Sequence, residues 1–409
     1  MYNWVFYIIL IFVVGEYLFS QWLALRNRRA ASPVLPEALR GLYDEKKYAD
    51  QQNYFRVNNR FGFVTSTYGT VLVLLMLVLG GFGWLDMWIS SSFESLVPVV
   101  LIFFAVLFLA NDLLTIPFDW YDTFVIEERF GFNKTTRKTF VADKLKSWLF
   151  GAVVGGLLLA AIVWLYEWLG TSFWWVACLV VVAFSVLMNM FYSEWIVPLF
   201  NKQTPLPEGE LRDAIEKFAG RAGFKLNNIY VIDGSKRSTK ANAYFSGLGP
   251  KKRIVLYDTL ISDLDTEEIV AVLAHEIGHY KHRHTWQMLA LSVANTFLTF
   301  YLLSLVLESP VLAEAMGGTE PSFPLALIAF GLLYAPLGLL TGIGINALSR
   351  RNEYQADAFA ASFGLANALI GGLKKLSVKS LSNLTPDSLY VKVYYSHPTL
   401  LQRMAALQK

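Results

Sequence analysis

A short histidine-containing motif is the part of the sequence best suited to metal chemistry. It reads His275-Glu276-Ile277-Gly278-His279. Two histidines four residues apart lie above one another on one helix face, so both imidazoles can bind a single metal ion. Glu276 lies about 100° further round the helix than His275. There its carboxylate can take a proton from a water molecule that the metal activates. The spacing predicts a zinc-peptidase helix.

The third zinc ligand must come from another part of the chain, because a catalytic zinc needs three protein ligands and one open position. The single cysteine, Cys178, lies in an apolar run, which excludes a cysteine-ligated site. Glu353 and Asp357 are four residues apart and share a helix face. One can bind zinc while the other hydrogen-bonds a ligating histidine. Their spacing leaves open which residue does which.

The remaining histidines have simpler interpretations. His282 and His284 alternate with Lys281 and Arg283 just past the motif, so we interpret them as a solvated basic rim at the membrane interface. His397 stands before a proline, where a structural role competes with a role in the site.

The elements that position the motif can also be predicted. Asp265–Glu268 is an acidic capping start, and the apolar run Ile269–Ala274 leads from it into the motif. An amphipathic helix is expected upstream, over Glu210–Ala222. The strand-like runs are Ile229–Ile232, Ala243–Ser246 and Arg253–Tyr257, the last two joined by a turn over 248–251.

The middle strand is a candidate for substrate binding. An extended peptide can add to a free sheet edge through backbone hydrogen bonds, and Asn242, Ala243 and Tyr244 stand at the candidate edge. The alternative is an ordinary structural strand.

Most of the chain is too apolar for a soluble protein. Of its 409 residues, 55% are hydrophobic and 16% charged. Seven runs are long enough to cross a hydrocarbon core of ~30 Å as helices: Trp4–Leu25, 63–85, 96–117, 148–168, 173–198, 286–307 and 323–346. The predicted fold class is mainly α, a polytopic membrane helix bundle with a small α+β zinc-protease unit.

The basic residues predict how the chain is oriented. All of them fall in four segments, 26–60, 129–146, 202–283 and 350–409, whereas the opposite loops carry only acids. With seven spans these segments lie on one side, which the positive-inside rule makes cytoplasmic. The net charge of +3 is small and the basic residues are clustered, which argues against nucleic-acid binding.

Polar residues also occur at membrane depth, where they are costly against lipid. They are Glu16, Asn111, Asp112, Asn189, Glu194, Asn295 and Asn346. Together they suggest a wet interior, while a local interhelical hydrogen bond is the better interpretation of any single asparagine.

Several segments together resemble the type I CaaX prenyl protease family, whose members are integral-membrane zinc endopeptidases. The resemblance runs from about the first span to the C-terminus. It is carried by the zinc motif, Glu353–Asp357, Asn242–Gly247, the phrase Thr123–Thr136, Pro198–Pro205 and Ser396-His397-Pro398.

The resemblance implies a role for each candidate residue. His275, His279 and Glu353 would bind zinc, Glu276 would be the general base, and Asp357 would orient a ligating histidine. Asn242 and Ala243 would hold the substrate backbone, and His397 with Arg403 would support the scissile carbonyl or the substrate. The family also implies seven helices around a large water-filled chamber, with the metal site at its cytoplasmic end.

The expected function is hydrolysis of peptide bonds near the C-terminus of lipid-modified or membrane-bound substrates. A membrane quality-control metalloprotease with no prenyl requirement is the main alternative. A chamber-type transporter or chaperone with a structural zinc is disfavoured, since structural sites usually have four protein ligands. A bacterial inner membrane and an endoplasmic reticulum membrane both fit the sequence.

Four regions are expected along the chain. Residues 1–200 form spans one to five with their loops, and residues 201–285 form the α+β unit with the substrate strand and zinc helix. Residues 286–346 form spans six and seven, and residues 347–409 form a helical segment with the third zinc ligand and His397.

Overall fold

The structure of the protein is a computed structural model that describes residues 3–41, 44–224, 228–246 and 253–409. The turn expected over 248–251 lies outside the described residues. Helices make up most of the described chain, and one small sheet lies between the fifth and sixth membrane helices.

Seven of the described helices are long and apolar enough to cross a membrane. The first to seventh spans are Trp4–Ala30, Glu45–Val78, Leu96–Glu127, Arg137–Leu169, Phe173–Phe200, His284–Ser304 and Phe323–Ser362. The predicted fold class and number of spans are confirmed. Shorter α-helices are Gly81–Ser90, Glu210–Arg221, Asp258–Asp263, Pro310–Ala315, Ala366–Lys379, Ser388–Tyr394 and Leu400–Leu407. Single 3-10 turns occupy Glu37–Leu39, Gly170–Ser172 and Gly234–Lys236.

The second span differs from the prediction. The apolar run over 63–85 does not form one continuous helix, because the helix ends at Val78 and Gly80 has a left-handed backbone with φ of 66°. A glycine in this conformation ends a helix at little steric cost. The separate helix Gly81–Ser90 then carries the rest of the apolar run.

Three spans contain a π-helical turn, a rare feature that often occurs at functional positions. These turns are Asp122–Glu127 in the third span, Gly151–Gly155 in the fourth and Tyr192–Ile196 in the fifth. The first and last of them carry acidic side chains near the end of the span that leads to the basic segments.

Two of the polar residues expected at membrane depth have clear local partners. Asp112 accepts hydrogen bonds from Lys144 Nζ and Trp148 Nε1, both at 2.7 Å. Asn346 Nδ2 donates to the backbone oxygen of Val393 at 2.8 Å. For these residues the local hydrogen bond, which the sequence left open, accounts for the polar group.

The sheet has four strands in the order β1-β2-β4-β3. They are β1 (Gln203–Pro205), β2 (Ile229–Ile232), β3 (Ala243–Ser246) and β4 (Arg253–Tyr257). The pair β2–β4 is parallel, and β1–β2 and β3–β4 are antiparallel. The bounds predicted for β2, β3 and β4 agree with the structure. Among the described residues β3 pairs with β4 alone, so it lies at one edge of the sheet.

The helix Thr266–Lys281, called here the metal helix, begins at the predicted capping sequence. Asp265 Oδ1 accepts from the backbone N–H of Glu268 at 3.0 Å, and Glu268 Oε2 accepts from the backbone N–H of Asp265 at 3.1 Å. This reciprocal pair satisfies two backbone donors that the first helical turn cannot.

The apolar residues of the metal helix are buried on several faces. Ile269, Leu273 and Ile277 lie in one core with Leu256 of β4. Burying each such side chain contributes about 1.5–3 kcal/mol. Neighbours on three sides explain why the run is apolar all round: the helix contacts the seventh span and the helices Glu210–Arg221 and Ala366–Lys379.

Gly278 lets the metal helix and the seventh span approach closely. A Cβ at this position would lie 3.0 Å from Ala356 Cα, 3.1 Å from Ala356 O and 3.1 Å from Phe359 Cβ. Because two of these atoms belong to backbone, a larger residue would push the two helices apart. The close contact sets the distance between the motif and the residues around Glu353.

Candidate metal centre

Three side chains from two helices come together as a candidate metal site. One ligand atom from each of His275, His279 and Glu353 lies within 4.8 Å of the others. The two Nε2 atoms are 3.1 Å apart, and His279 Nε2 lies 3.2 Å from Glu353 Oε1. Two ligands each about 2.0–2.1 Å from a tetrahedral zinc would be about 3.3 Å apart. The observed spacing therefore suits a zinc-sized ion.

The tautomer of His275 is set by its other ring nitrogen. His275 Nδ1 lies 2.8 Å from Asp357 Oδ1, and both groups are buried. Since the carboxylate accepts, Nδ1 carries the proton and Nε2 presents its lone pair to the cluster. Arg403 holds the same carboxylate from the other side, with Nε donating to Oδ2 at 2.9 Å and Nη2 to Oδ1 at 2.6 Å.

His279 is held in a similar way by His284, which the sequence analysis placed on the solvated rim. Its Nδ1 lies 3.0 Å from His284 Nδ1, and His284 Nε2 lies 2.8 Å from Gln355 Oε1. With neutral His284 donating to Gln355, His279 donates from Nδ1 and presents its Nε2 lone pair to the cluster. The interpretation of His284 as a solvated rim residue is wrong, because the side chain is buried.

The backbone explains why His284 turns inward. Arg283 is one of two non-glycine residues with positive φ in the described chain, at 58°. This left-handed residue ends the metal helix and starts the sixth span at His284. His282 remains exposed on the outer side of the same turn.

The donor set also fits a metal electrostatically. Glu353 Oε2 is buried and has no hydrogen-bond partner among the described residues. Two nitrogen lone pairs and a carboxylate thus converge in a space from which water is largely excluded, an arrangement that a cation stabilises. Burial lowers the pKa of His275, but the neighbouring Asp357 and Glu353 carboxylates outweigh burial and raise that pKa to about 9, so a bound cation would take the place of a proton on Nε2. The residues therefore fit a divalent ion with nitrogen and oxygen ligands.

Glu276 lies on the side of the cluster that faces a small cavity. The cavity has a volume of about 220 Å³, and its lining includes Glu276, His279, His284 and Asn352. The carboxylate is only partly buried, so it can contact a water molecule or a substrate group that enters the cavity. This position suits a proton acceptor, whereas its neighbour His275 points into the protein.

His397 and Arg403 reach the cluster from the C-terminal segment. His397 Nε2 lies 3.3 Å from Glu353 Oε1, and Arg403 Nη1 lies 3.5 Å from Glu353 Oε2. Both residues also line a second cavity of about 530 Å³. Arg403 is buried, whereas the His397 side chain is 63% exposed and free to meet a substrate.

The predicted substrate residues lie at the start of the edge strand. Asn242 Oδ1 accepts from the backbone N–H of Ala243 at 2.9 Å, and the Asn242 backbone oxygen accepts from Tyr257 N at 3.1 Å. Ala243 packs against the core that contains the metal helix. The contacts described for these residues are with the sheet and its core rather than with the three candidate ligands. The strand and the metal helix are connected by the core that both pack against.

Sequence reasoning missed two residues of the site, His284 and Gln355. Gln355 lies between Glu353 and Asp357, but its side chain leaves the helix on another face and meets the sixth span. A further histidine, five residues past His279, was the available signal. Its direction depends on the left-handed Arg283, which local sequence does not reveal.

Comparison with known proteins covers almost the entire chain. A family model described as CAAX prenyl protease N-terminal, five membrane helices, matches residues 24–202, and the model of Peptidase family M48 matches residues 205–409. The CAAX prenyl protease 1 of Saccharomyces cerevisiae is 34% identical, over 97% of this chain and 93% of that protein.

Other relatives give the same picture. The CAAX prenyl protease 1 homolog of Arabidopsis thaliana is 36% identical over 97% of this chain and 96% of its own. The Homo sapiens homolog is 32% identical over 99% of this chain and 95% of its own. The crystal structure of S. mikatae Ste24p matches all of both chains with a TM-score of 0.94 and 33% identity.

Proposed function

The chain belongs to the CaaX prenyl protease family within peptidase family M48, and from this membership we propose a role for each residue of its site. The protein is a multi-pass integral-membrane metalloprotease that acts on CaaX substrates, which confirms the expected function. The alternative, a quality-control protease without a prenyl requirement, is not favoured. The relatives named as CAAX prenyl proteases match this chain over nearly their whole length.

The metal that we propose is zinc, one ion per chain, bound by His275, His279 and Glu353. The convergence of these three ligand atoms is the observation that carries the proposal. Two imidazoles and one carboxylate with an open fourth position are a ligand set typical of catalytic zinc. When bound, zinc supplies Lewis acidity, which polarises a peptide carbonyl and lowers the pKa of water to about 7.

The residues of the chain would then carry the proton and hold the substrate. Glu276 accepts a proton as water attacks the peptide carbonyl carbon, and it passes that proton to the leaving amine. His397, whose exposed ring lies beside Glu353, donates to the oxygen that gains negative charge. Arg403 acts mainly through Asp357, since its two short hydrogen bonds go to that carboxylate.

We propose that the substrate peptide adds to β3 as a further strand, with Asn242, Ala243 and Tyr244 holding its backbone. The edge position of β3 supports this proposal, because an edge strand has backbone groups that a neighbouring strand does not use. The packing of Ala243 against the core of the metal helix keeps the peptide near the catalytic residues.

We further propose that the metal site faces the cytoplasm. We also propose that the chain has four regions with different roles, 1–200, 201–285, 286–346 and 347–409. The first and third cross the bilayer, the second supplies two zinc ligands and the substrate strand, and the fourth supplies the third ligand and His397. The placement of every lysine and arginine in four segments supports the cytoplasmic orientation. A membrane-bound substrate can then keep its lipid in or near the bilayer while its peptide reaches the zinc.

Mass spectrometry of the cleavage products of a farnesylated peptide and its unprenylated twin tests the proposed substrate class. We expect the purified, zinc-loaded protein to remove the C-terminal residues of the farnesylated peptide and to leave its twin largely intact. Glu276→Gln, which changes one oxygen of the proposed base, is the control for contaminating peptidases. Equal cleavage of both peptides would show that the lipid is not recognised.

A further inference from the structure

The segment Thr123–Thr136, which the sequence analysis singled out, has no part in the chemistry described so far. In the structure it begins in the π-helical turn of the third span and ends in the loop that follows. Its residues contact the stretch of chain that leads into β3. We propose that Lys240 and Arg253, held by carboxylates of the third and fifth spans, are positioning residues that fix β3 relative to the metal helix.

The first contact holds the beginning of β3. Lys240 Nζ donates to Glu127 Oε2 at 2.7 Å and to Tyr54 Oη at 3.0 Å, and Tyr54 Oη donates to Glu127 Oε1. The Lys240 ammonium also lies 4.4 Å from the centre of the Phe132 ring. Burial lowers the pKa of Lys240, but Glu127 and Tyr54 outweigh burial and raise it, so the lysine stays charged.

Backbone contacts run beside this ion pair. Lys134 N donates to Arg237 O at 2.9 Å, and Thr239 N donates to Phe132 O at 3.1 Å. Between them Asn133 and Ser238 form an isolated antiparallel bridge. The loop after the third span therefore pairs with residues just before Lys240, like a short additional ladder.

The second contact holds the other end of the hairpin. Arg253, the first residue of β4, is paired in register with Ser246, the last residue of β3. Arg253 Nη2 donates to Glu194 Oε1 at 2.5 Å, and its guanidinium lies 4.8 Å from the Tyr230 ring. Glu194 belongs to the π-helical turn of the fifth span.

Both acids thus come from π-helical turns of membrane spans. One pairs with Lys240, just before β3, and the other with Arg253 of β4, opposite the last residue of β3. A π-helical turn departs from the regular α-helical spacing, so a side chain within it can point toward a neighbouring element that a regular helix would not face. Both ion pairs are partly shielded from water: the side chains of Glu127 and Lys240 are 19% and 36% exposed, and those of Glu194 and Arg253 are 23% and 17% exposed. They fix the strand at two points, so a substrate that adds to β3 meets the metal site at a defined distance.

This inference rests on the proposed role of β3 in binding the substrate backbone. Its test compares KM, kcat and zinc content of Lys240→Met and Arg253→Met, which remove the charge but keep an unbranched apolar side chain. We expect KM for the farnesylated peptide to rise about 5- to 30-fold, the factor that corresponds to 1–2 kcal/mol. Because the metal ligands are unaffected, kcat and zinc content should stay within about twofold of wild type.

Two conservative variants separate the effect of the charge of Lys240 from that of its hydrogen bond to Tyr54. Lys240→Arg retains the charge, so its KM should stay close to the wild-type value. Tyr54→Phe removes one hydroxyl without changing any charge, and it should raise KM less than Lys240→Met does. Should Lys240→Met fail to fold, an unchanged KM in Tyr54→Phe would by itself overturn the role of the Lys240 contact.

The matched control is Lys379→Met, which removes the ion pair between Lys379 and Asp263 in the same part of the protein. Its KM should not change. Asn242→Ala separates the inference from its premise. A raised KM in Asn242→Ala with an unchanged KM in Lys240→Met and Arg253→Met would overturn the positioning role alone. An unchanged KM in all three would overturn the substrate strand itself. A loss of zinc together with the rise in KM would also count against positioning.

Discussion

His284 Nδ1 lies 3.0 Å from Nδ1 of the proposed zinc ligand His279, although the two residues belong to different helices. The metal helix ends at Lys281 and the sixth span begins at His284, so this contact ties the metal site to a membrane helix. Gln355 of the seventh span completes the chain of hydrogen bonds.

Replacing His284 with Ala should therefore weaken zinc binding. The partner of a ligating histidine fixes its ring and its tautomer, and losing such a partner costs about 10- to 100-fold in metal affinity or activity. Zinc titration of the metal-free protein measures the change. His282→Ala is the matched control, because the exposed His282 stacks on the His284 ring but His284 itself holds His279, so His282→Ala should change affinity much less. Equal effects of both substitutions would contradict the role given to His284.

Replacing Glu276 with Gln should leave zinc bound and lower kcat. Only the proton transfer is lost, and general-base catalysis contributes about 10²- to 10⁴-fold. Metal analysis and single-turnover cleavage of the farnesylated peptide give the two quantities. Wild-type turnover with full zinc content would rule out Glu276 as the base.

Glu353 and Asp357 should differ when each is replaced by its amide. Glu353→Gln removes the charged ligand and should lose most of its zinc. Asp357→Asn should retain zinc with an affinity about 10- to 100-fold lower, since Asp357 contacts His275, one of the proposed ligands. Zinc per chain after dialysis against a weak chelator ranks the two, and the opposite order would make Asp357 the ligand.

Gly278→Ala should destabilise the protein and its metal site together. The added Cβ would lie 3.0–3.1 Å from two backbone atoms of Ala356, and overpacking of this kind costs about 1–3 kcal/mol. Gly220→Ala is the comparison, because a Cβ added at Gly220 would meet open space. This helical substitution should raise the free energy of unfolding by about 0.5–1 kcal/mol. Thermal unfolding with and without zinc compares them. Equal stability of the two variants would show that the close contact between Gly278 and Ala356 does not limit the stability of the protein.

The orientation can be tested with single cysteines in a Cys178→Ala background. Sealed vesicles with the cytoplasmic face outward should react with an impermeant thiol reagent at Lys202→Cys and Lys217→Cys. Glu94→Cys and Glu320→Cys should react only after detergent is added, because the charge pattern puts them on the opposite side. The reverse pattern would move the metal site to the other face of the membrane.

The sequence was sufficient where local chemistry decides the structure. The capping pair Asp265 and Glu268 formed as predicted, since a capping box depends on residues three apart. The bounds of β2 and β4 followed from β-branched apolar runs between turn signals. The family resemblance is confirmed as well, because several separate motifs carried it.

Features that depend on the path of the backbone could not be predicted in this way. The second span ends at Val78 because Gly80 takes a left-handed conformation, although the hydropathy continues. His284 points inward because Arg283 does the same without being glycine. The pairing of Lys240 with Glu127 joins residues that are far apart in the chain, and no local pattern marks it.

The seventh span is one continuous helix from Phe323 to Ser362, and it carries Glu353 to the metal helix. This order matters for biosynthesis. A ribosome makes His275 and His279 first, so a chain still being inserted into the membrane has only two of the three proposed zinc ligands. The seventh span must be made and docked before the third arrives. With the proposed ligand set, an incompletely synthesised chain would lack its third ligand, so we expect peptidase activity only after the seventh span has packed against the metal helix.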